Sequence, residues 1–143
     1  MSLSELGLFT PSAAESLLTS IRNRSKQSGE IQKLLVENAL EDLFVYIAIP
    51  PPPQLINLSL SIIANLLVKE EGKDLIKADQ LNYLVRLLDE VSEDEQLDSS
   101  IHIRTSLQSR IIRALGNACA SHYNNRIALS NTTLYRVNRF IYL

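Results

Sequence analysis

The chain has 143 residues, 45% hydrophobic and 21% charged, which is enough apolar material for one domain and too little length for two. A formal net charge of −2, with no aromatic residues interleaved among the arginines, argues against nucleic acid as a partner. The single cysteine, Cys119, excludes an internal disulfide and favours a reducing compartment, the cytoplasm or the nucleus.

Residues 1–11 lack the basic start and apolar core of a secretory signal, and we expect them to form an N-terminal extension. Residues 12–143 are predicted to form one helical domain, whose first helix starts at Pro11-Ser12. No segment alternates convincingly with the period of a strand. The longest apolar stretch, 55–68, is shorter than the roughly 20 residues that cross a bilayer, so no membrane span is predicted. Helical spacing of apolar residues is clear in the segments that begin at Leu17, Ile31, Leu40 and Leu81.

Prolines and glycines divide these helices. The prolines at 50–53 are predicted to end a helix after Ile49 and to form a corner between helices; a ligand for an SH3 or WW domain is the alternative. Gly72 follows a helical run that is expected to close at Glu71. Gly116, in the middle of a predicted helix, is expected to permit close helix packing.

Charge is uneven along the chain. Up to Asp98 there are 16 acids and 8 bases (net −8), whereas 99–143 contain six arginines and no acid (net +6). The acidic segment 89–98 is predicted to be a surface loop, because it lacks the glycine and the ligand spacing of a calcium-binding EF-hand loop.

A repeat is visible in three asparagines, each close to the end of an apolar helix. Asn23, Asn65 and Asn117 are separated by 42 and 52 residues, and each follows an isoleucine or leucine two positions earlier. About ten extra residues in the second interval match the acidic loop. After each asparagine comes a short amphipathic helix, then a residue that tolerates left-handed backbone, then a leucine-rich helix. The three tolerant residues are Asn38, Asp79 and Asn131.

These segments resemble the three-helix unit of the armadillo repeat family. The resemblance is carried by residues 60–67, 72–79 and 81–88, after which 113–119 open the next unit. It covers about three units between residues 12 and 135, with an incomplete last repeat at 123–143. Within the family the chain is most similar to the N-terminal region of armadillo-type GDP-dissociation stimulators of small GTPases.

The resemblance implies an all-α fold, a right-handed alpha-alpha superhelix, whose concave groove binds an extended peptide. In the family an asparagine near the end of the third helix hydrogen-bonds that peptide, which assigns this role to Asn65 and Asn117; Asn23 is a weaker match. The alternative for each amide is to cap a neighbouring helix end. The implied function is a non-catalytic scaffold for a protein or peptide partner, and the alternative is a regulator of a small GTPase, as exchange factor or chaperone-like binder.

Three arginines lie on the helix that leads to Asn117. Arg110 and Arg113 share a face, whereas Arg104 need not. They could hold an acidic ligand, or form a solvated face screened by the acidic loop. The candidate partner-binding residues are therefore Asn65, Asn117, Arg110 and Arg113.

Cys119 and His122 are close enough on a helix to suggest catalysis, but no oriented base, oxyanion pocket or further metal ligands accompany them. We therefore predict no catalytic residue, no metal site and no cofactor. The apolar tail 134–143 ends inside an expected helix. A fragment, a truncated isoform or self-association through the C-terminal end would each explain it.

Overall fold

The computed structural model describes residues 2–94 and 101–130. Every regular element in these ranges is a helix and none is a strand, so the all-α prediction is confirmed. A 3-10 helix, Leu3–Leu8, is followed by α1 (Pro11–Ser25), α2 (Ser28–Val36), α3 (Ala39–Ile47), α4 (Pro53–Leu66), α5 (Glu70–Leu75), α6 (Ala78–Glu93) and α7 (Ile101–Cys119). Residues 123–130 are also helical. In the described ranges no helix has the length and apolar character that a bilayer crossing requires.

Prolines start two of the helices. Pro11 occupies the first turn of α1, and the Thr10 side chain before it accepts a hydrogen bond from the Ala13 amide (3.2 Å). Pro53 starts α4 in the same way, while α3 ends at Ile47, shortly before the other prolines. The predicted corner between helices is therefore found at 48–52.

Left-handed backbone occurs at two non-glycine residues of the described ranges. Asn38 (φ 68°) precedes α3 as predicted, and Ser121 (φ 54°) follows α7. Asp79 was expected to behave like Asn38, but it lies in the first turn of α6, where an acidic side chain suits the positive end of the helix dipole. Asn131 lies outside the described residues.

The acidic segment begins inside a helix rather than as a loop. We expected a loop at 89–98, whereas α6 extends to Glu93. The helix continues because buried Val91 extends the apolar stripe of Leu84 and Leu88 at helical spacing. Residues 95–100 lie outside the described ranges.

Each helix from α1 to α4 contacts the third helix after it in the chain. α1 packs against α4 and α4 against α7, and α2 contacts α5. α3 meets α6 through the edge-to-face pair of Phe44 and Tyr83 and through a hydrogen bond from Gln80 to Glu41 (2.7 Å). The long helices α1, α4 and α7 therefore form one layer with α4 in its middle.

Helix α4 lies at the centre of the core. Every residue from Ser59 to Leu67 is buried, and nine consecutive residues make more than two helical turns, so the helix is enclosed on all sides. At the N-terminus, Leu3 and Leu6 of the 3-10 helix are buried in the same core, against α3. The N-terminal extension therefore contributes to the domain.

Two glycines differ from their expected roles. Gly72 lies inside α5 and does not follow a helix end; a Cβ added to it would lie 2.1 Å from the Leu66 carbonyl oxygen. Gly116 was expected to permit close packing, but a Cβ added there would meet nothing within 4 Å. The close approach of α5 to the end of α4 therefore requires glycine, whereas position 116 does not.

We expect opposite effects from alanine at these two positions. Gly72→Ala should lower the stability by about 1–3 kcal/mol, because the clash is with backbone that cannot rotate away. Gly116→Ala should raise it by about 0.5–1 kcal/mol, because alanine favours the helix and meets no neighbour. Urea unfolding followed by circular dichroism measures both, and equal midpoints for the two variants would contradict the assignment.

Candidate functional site

Helices α4 and α7 bring together the four residues that the sequence assigned to partner binding. Arg113 Nη2 donates to Asn65 Oδ1 (2.9 Å), and Asn117 Nδ2 donates to the Ala64 carbonyl (2.9 Å). One turn before Arg113, Arg110 Nε donates to the Asn57 side-chain oxygen (2.9 Å). These bonds pair the two helices in parallel along one face.

Asn65 links three helices. It is only 9% exposed, and both ends of its amide are bonded inside the protein, because Nδ2 also donates to Ser25 Oγ (2.9 Å) at the end of α1. The Ser25 hydroxyl in turn donates to the Arg22 carbonyl (2.7 Å). A chain of hydrogen bonds therefore runs from α1 across α4 to α7 and fixes the Arg113 side chain.

Asn117 is half-buried, and part of the hydrogen-bonding capacity of its side chain is unused among the described residues. Its bond to Ala64 satisfies a carbonyl in the last turn of α4, which is the helix-capping role that the sequence left open. Among the described residues no hydrogen bond involves its side-chain oxygen. Asn23, the weaker match, is exposed, and Ser25 rather than Asn23 contacts Asn65.

The layer of α1, α4 and α7 is strongly basic. These helices contain five arginines and one acid, Glu15. Arg22, Arg110 and Arg113 form no ion pair with any described residue. Partial burial, and then the positive charges of Arg22 and Arg113, lower the pKa of Arg110. The cations of this face are therefore close enough to repel one another.

Arg22 and Asn57 belong to this face, and sequence analysis missed both. Arg22 lies on the first helix, far along the chain from Arg110, so no local motif connects them. The sequence signal that could have pointed to this face is the amino-acid composition of its helices, since α4 and α7 contain no acidic residue. The third arginine of α7, Arg104, forms no hydrogen bond with Asn57 or Asn65; it donates to the Asp94 carbonyl at the end of α6.

A solvent-open depression of about 560 Å³ lies beside Asn65, where α1 passes into α2 and α4 ends. Its cations are Lys26, Lys69 and Arg113, and no carboxylate lines it. The other lining residues are Ser25, Ser28, Ile31, Asn65 and Val68. We call this depression the basic pocket.

Lys73 and His122 join the end of α7 to its neighbours. The buried Lys73 ammonium donates to the carbonyls of Asn117 (2.7 Å) and Ala120 (2.9 Å), so it satisfies acceptors that the end of α7 leaves open. His122 Nδ1 accepts the backbone amide hydrogen of Asn125 (3.2 Å), capping the helix at 123–130. The role of Lys73 has no signal in the sequence, because its partners are far along the chain, whereas the cap of His122 on Asn125 is local.

Cys119 and His122 do not form a nucleophile and base. His122 Nε2 contacts Asp74 (2.8 Å), and Nδ1 is occupied by the cap, so neither ring nitrogen faces the thiol. Burial raises the pKa of Cys119, which keeps the thiol protonated at neutral pH. We therefore assign both residues structural roles.

Glu70, Asp74 and His122 offer ligand atoms within 4.8 Å of one another. Because Nδ1 of His122 accepts a hydrogen bond, the proton of a neutral ring lies on Nε2, the nitrogen that contacts Asp74. A metal ion would need a lone pair on Nε2, and the ring could provide it only by losing its cap on the helix at 123–130. We assign this cluster to helix capping.

Comparisons with protein-family models, with curated proteins and with solved structures give no match to this chain.

Replacing Lys73 by methionine should lower the stability by about 1–3 kcal/mol, because the carbonyls of Asn117 and Ala120 lose their donor. Lys33→Met is the matched control, since the Lys33 side chain is 68% exposed and its ion pair with Glu30 contributes little. Chemical denaturation of the two variants measures the difference. Equal losses would show that the ammonium of Lys73 is not needed to hold α7.

The Cys119 thiol should react slowly in the folded protein. Its pKa is raised, so at pH 8 the thiolate fraction, and with it the rate of labelling by a maleimide, should lie below that of a free cysteine. Labelling in urea should restore the ordinary rate. Fast labelling of the folded chain would contradict the raised pKa and restore Cys119 as a candidate nucleophile.

Proposed function

We propose that this chain is a non-catalytic protein–protein interaction module, which binds an extended segment of a partner protein along the face where the arginines of α1 and α7 lie over α4. The observation that carries this proposal is the hydrogen-bonded connection Ser25–Asn65–Arg113, which locks three helices together beneath an open polar surface. Because this surface is ordered before binding, docking of a partner adds little cost for ordering this chain.

We further propose that the helices form an armadillo-like right-handed superhelix of about three units. The support is the order of the helices and their contacts: α2, α3 and α4 correspond to α5, α6 and α7, and each contacts its counterpart. In this interpretation α1 is the last helix of the preceding unit and 123–130 the first helix of the next. The face of α1, α4 and α7 is then the inner, concave side of the stack.

Photo-crosslinking tests whether partners bind on this face. A photoreactive amino acid replaces Val68, which lines the basic pocket and is 54% exposed; the matched control replaces Val45 on α3, which is 59% exposed. After irradiation in cytoplasmic and nuclear extracts, we expect a defined partner to be attached at position 68 and not at position 45. The crosslinked peptide should map to one contiguous segment of that partner.

Attachment of the same proteins at both positions, or at position 45 alone, would refute the assignment of the binding face. If the partner captured at position 68 is a small GTPase, its rate of nucleotide release with and without this chain separates a regulator from a scaffold. An unchanged rate leaves the scaffold function in place.

A further inference from the structure

The face formed by α1, α4 and α7, which we call the basic face, holds its arginines in position without neutralising their charges. Arg110 is bonded to the amide oxygen of Asn57, and Arg113 to that of Asn65. An amide oxygen accepts the hydrogen bond and fixes the side chain, but it carries no charge to cancel that of the guanidinium. Both cations therefore remain available to a negative ligand in an ordered geometry.

The surroundings of these arginines favour the binding of an anion. Arg22 approaches the same region from α1, and its buried Nε has no hydrogen-bond acceptor among the described residues. Burial first, and then the charges of Arg22 and Arg113, lower the pKa of Arg110. Like charges held together on a half-buried surface are stabilised by binding an opposite charge.

The basic pocket extends this positive surface past the end of α4. Lys26 and Lys69 line it together with Arg113, and neither lysine is ion-paired with a described residue. Two apolar side chains, Ile31 and Val68, complete its wall. A carboxylate whose neighbour in the chain is apolar fits this combination of cations and apolar wall.

We infer that the partner segment is an acidic, extended peptide, with one carboxylate bound in the basic pocket and a second beside Arg110 and Arg22. This inference rests on the proposed function and names the chemistry of its partner. Asn57 and Asn65, which hold the two arginines, are eight residues apart on α4, about 12 Å along the helix axis. An extended chain covers that distance in about four residues, and side chains four apart point the same way.

An acidic peptide fits the face better than a nucleic acid does. Stacking platforms for bases are aromatic, and no aromatic side chain lines the basic pocket. The apolar wall of Ile31 and Val68 matches an aliphatic side chain of a peptide instead. A nucleic acid is therefore used in the binding experiment as the alternative ligand.

The probe is a short synthetic peptide of repeated Glu-Leu-Gly-Ser units, whose glutamates are four residues apart; the control peptide has glutamine in place of glutamate. Titration into the labelled chain, followed by amide NMR spectra, should move resonances near Lys26, Lys69 and Arg113 with the glutamate peptide only. Raising the ionic strength from about 0.01 to 0.15 M should weaken this binding, because screening shortens the reach of the charges.

Four variants, one of them a control, locate the interaction. Lys26→Gln and Lys69→Gln should each weaken binding of the glutamate peptide about fivefold, whereas Lys33→Gln, which removes the same charge from the exposed face of α2, should leave it unchanged. Asn57→Asp keeps the acceptor for Arg110 but adds a negative charge, so it should keep the unfolding midpoint at least as high and still weaken binding. This last variant separates loss of charge from loss of fold.

Equal binding of the glutamine peptide, resonance shifts away from the pocket, or tighter binding of a single-stranded oligonucleotide would each overturn the acidic-peptide inference. The proposed function would survive these results if crosslinking at position 68 still captures a partner and crosslinking at position 45 does not. If the glutamate peptide binds as expected but no protein crosslinks at position 68, the anion site stands and the interaction module does not.

Discussion

Helix α4 must bury every residue from Ser59 to Leu67, and the rest of the structure is arranged around that requirement. A helix buried on all sides leaves its polar side chains little access to water, so a partner inside the protein is favoured; an unsatisfied buried group costs about 1–3 kcal/mol. Ser59 meets this need locally, by donating to the Leu55 carbonyl (2.8 Å). Asn65 meets it with Ser25 and Arg113, which sets how α1 and α7 lie against α4.

The same arrangement separates the charges of the molecule. α1, α4 and α7 carry five arginines against one acid, whereas α6 alone contains four acids. The cations also divide by role. Lys73 is buried and directs its ammonium at backbone carbonyls, so its charge serves the fold; Arg110 and Arg113 bond to neutral amides and keep theirs. The proposed binding face is thus distinguished from the core by the exposure of its cations, since backbone carbonyls and side-chain amides are equally uncharged acceptors.

Much of the fold and of the candidate site could be predicted from the sequence, and the features that could not be predicted have physical causes. The all-helical class, the start of α1 and the left-handed Asn38 follow from local chemistry, and the repeat correctly put Asn65 and Asn117 near the ends of two helices, α4 and α7. Gly72 and Gly116 were misinterpreted because a glycine does not reveal what its missing Cβ would meet. Position 72 faces the Leu66 carbonyl, which only the packing of α5 on α4 brings near. Lys73 and Arg22 act with groups far along the chain, so no spacing marks them.

Two interpretations of Asn65, a helix-to-helix link and a binding residue, are parts of one arrangement. A carboxylate at position 57 would hold Arg110 more strongly than an amide does, since the attraction between opposite charges is added to the hydrogen bond. At position 65 a carboxylate would lose the donor to Ser25 in a buried site, so there the amide is what links the three helices. At position 57 stability of the pair alone would favour aspartate, yet the residue is asparagine. An amide fixes the arginine and leaves its charge uncompensated, at a cost to the fold. That cost has a physical explanation if the missing negative charge is supplied by the partner.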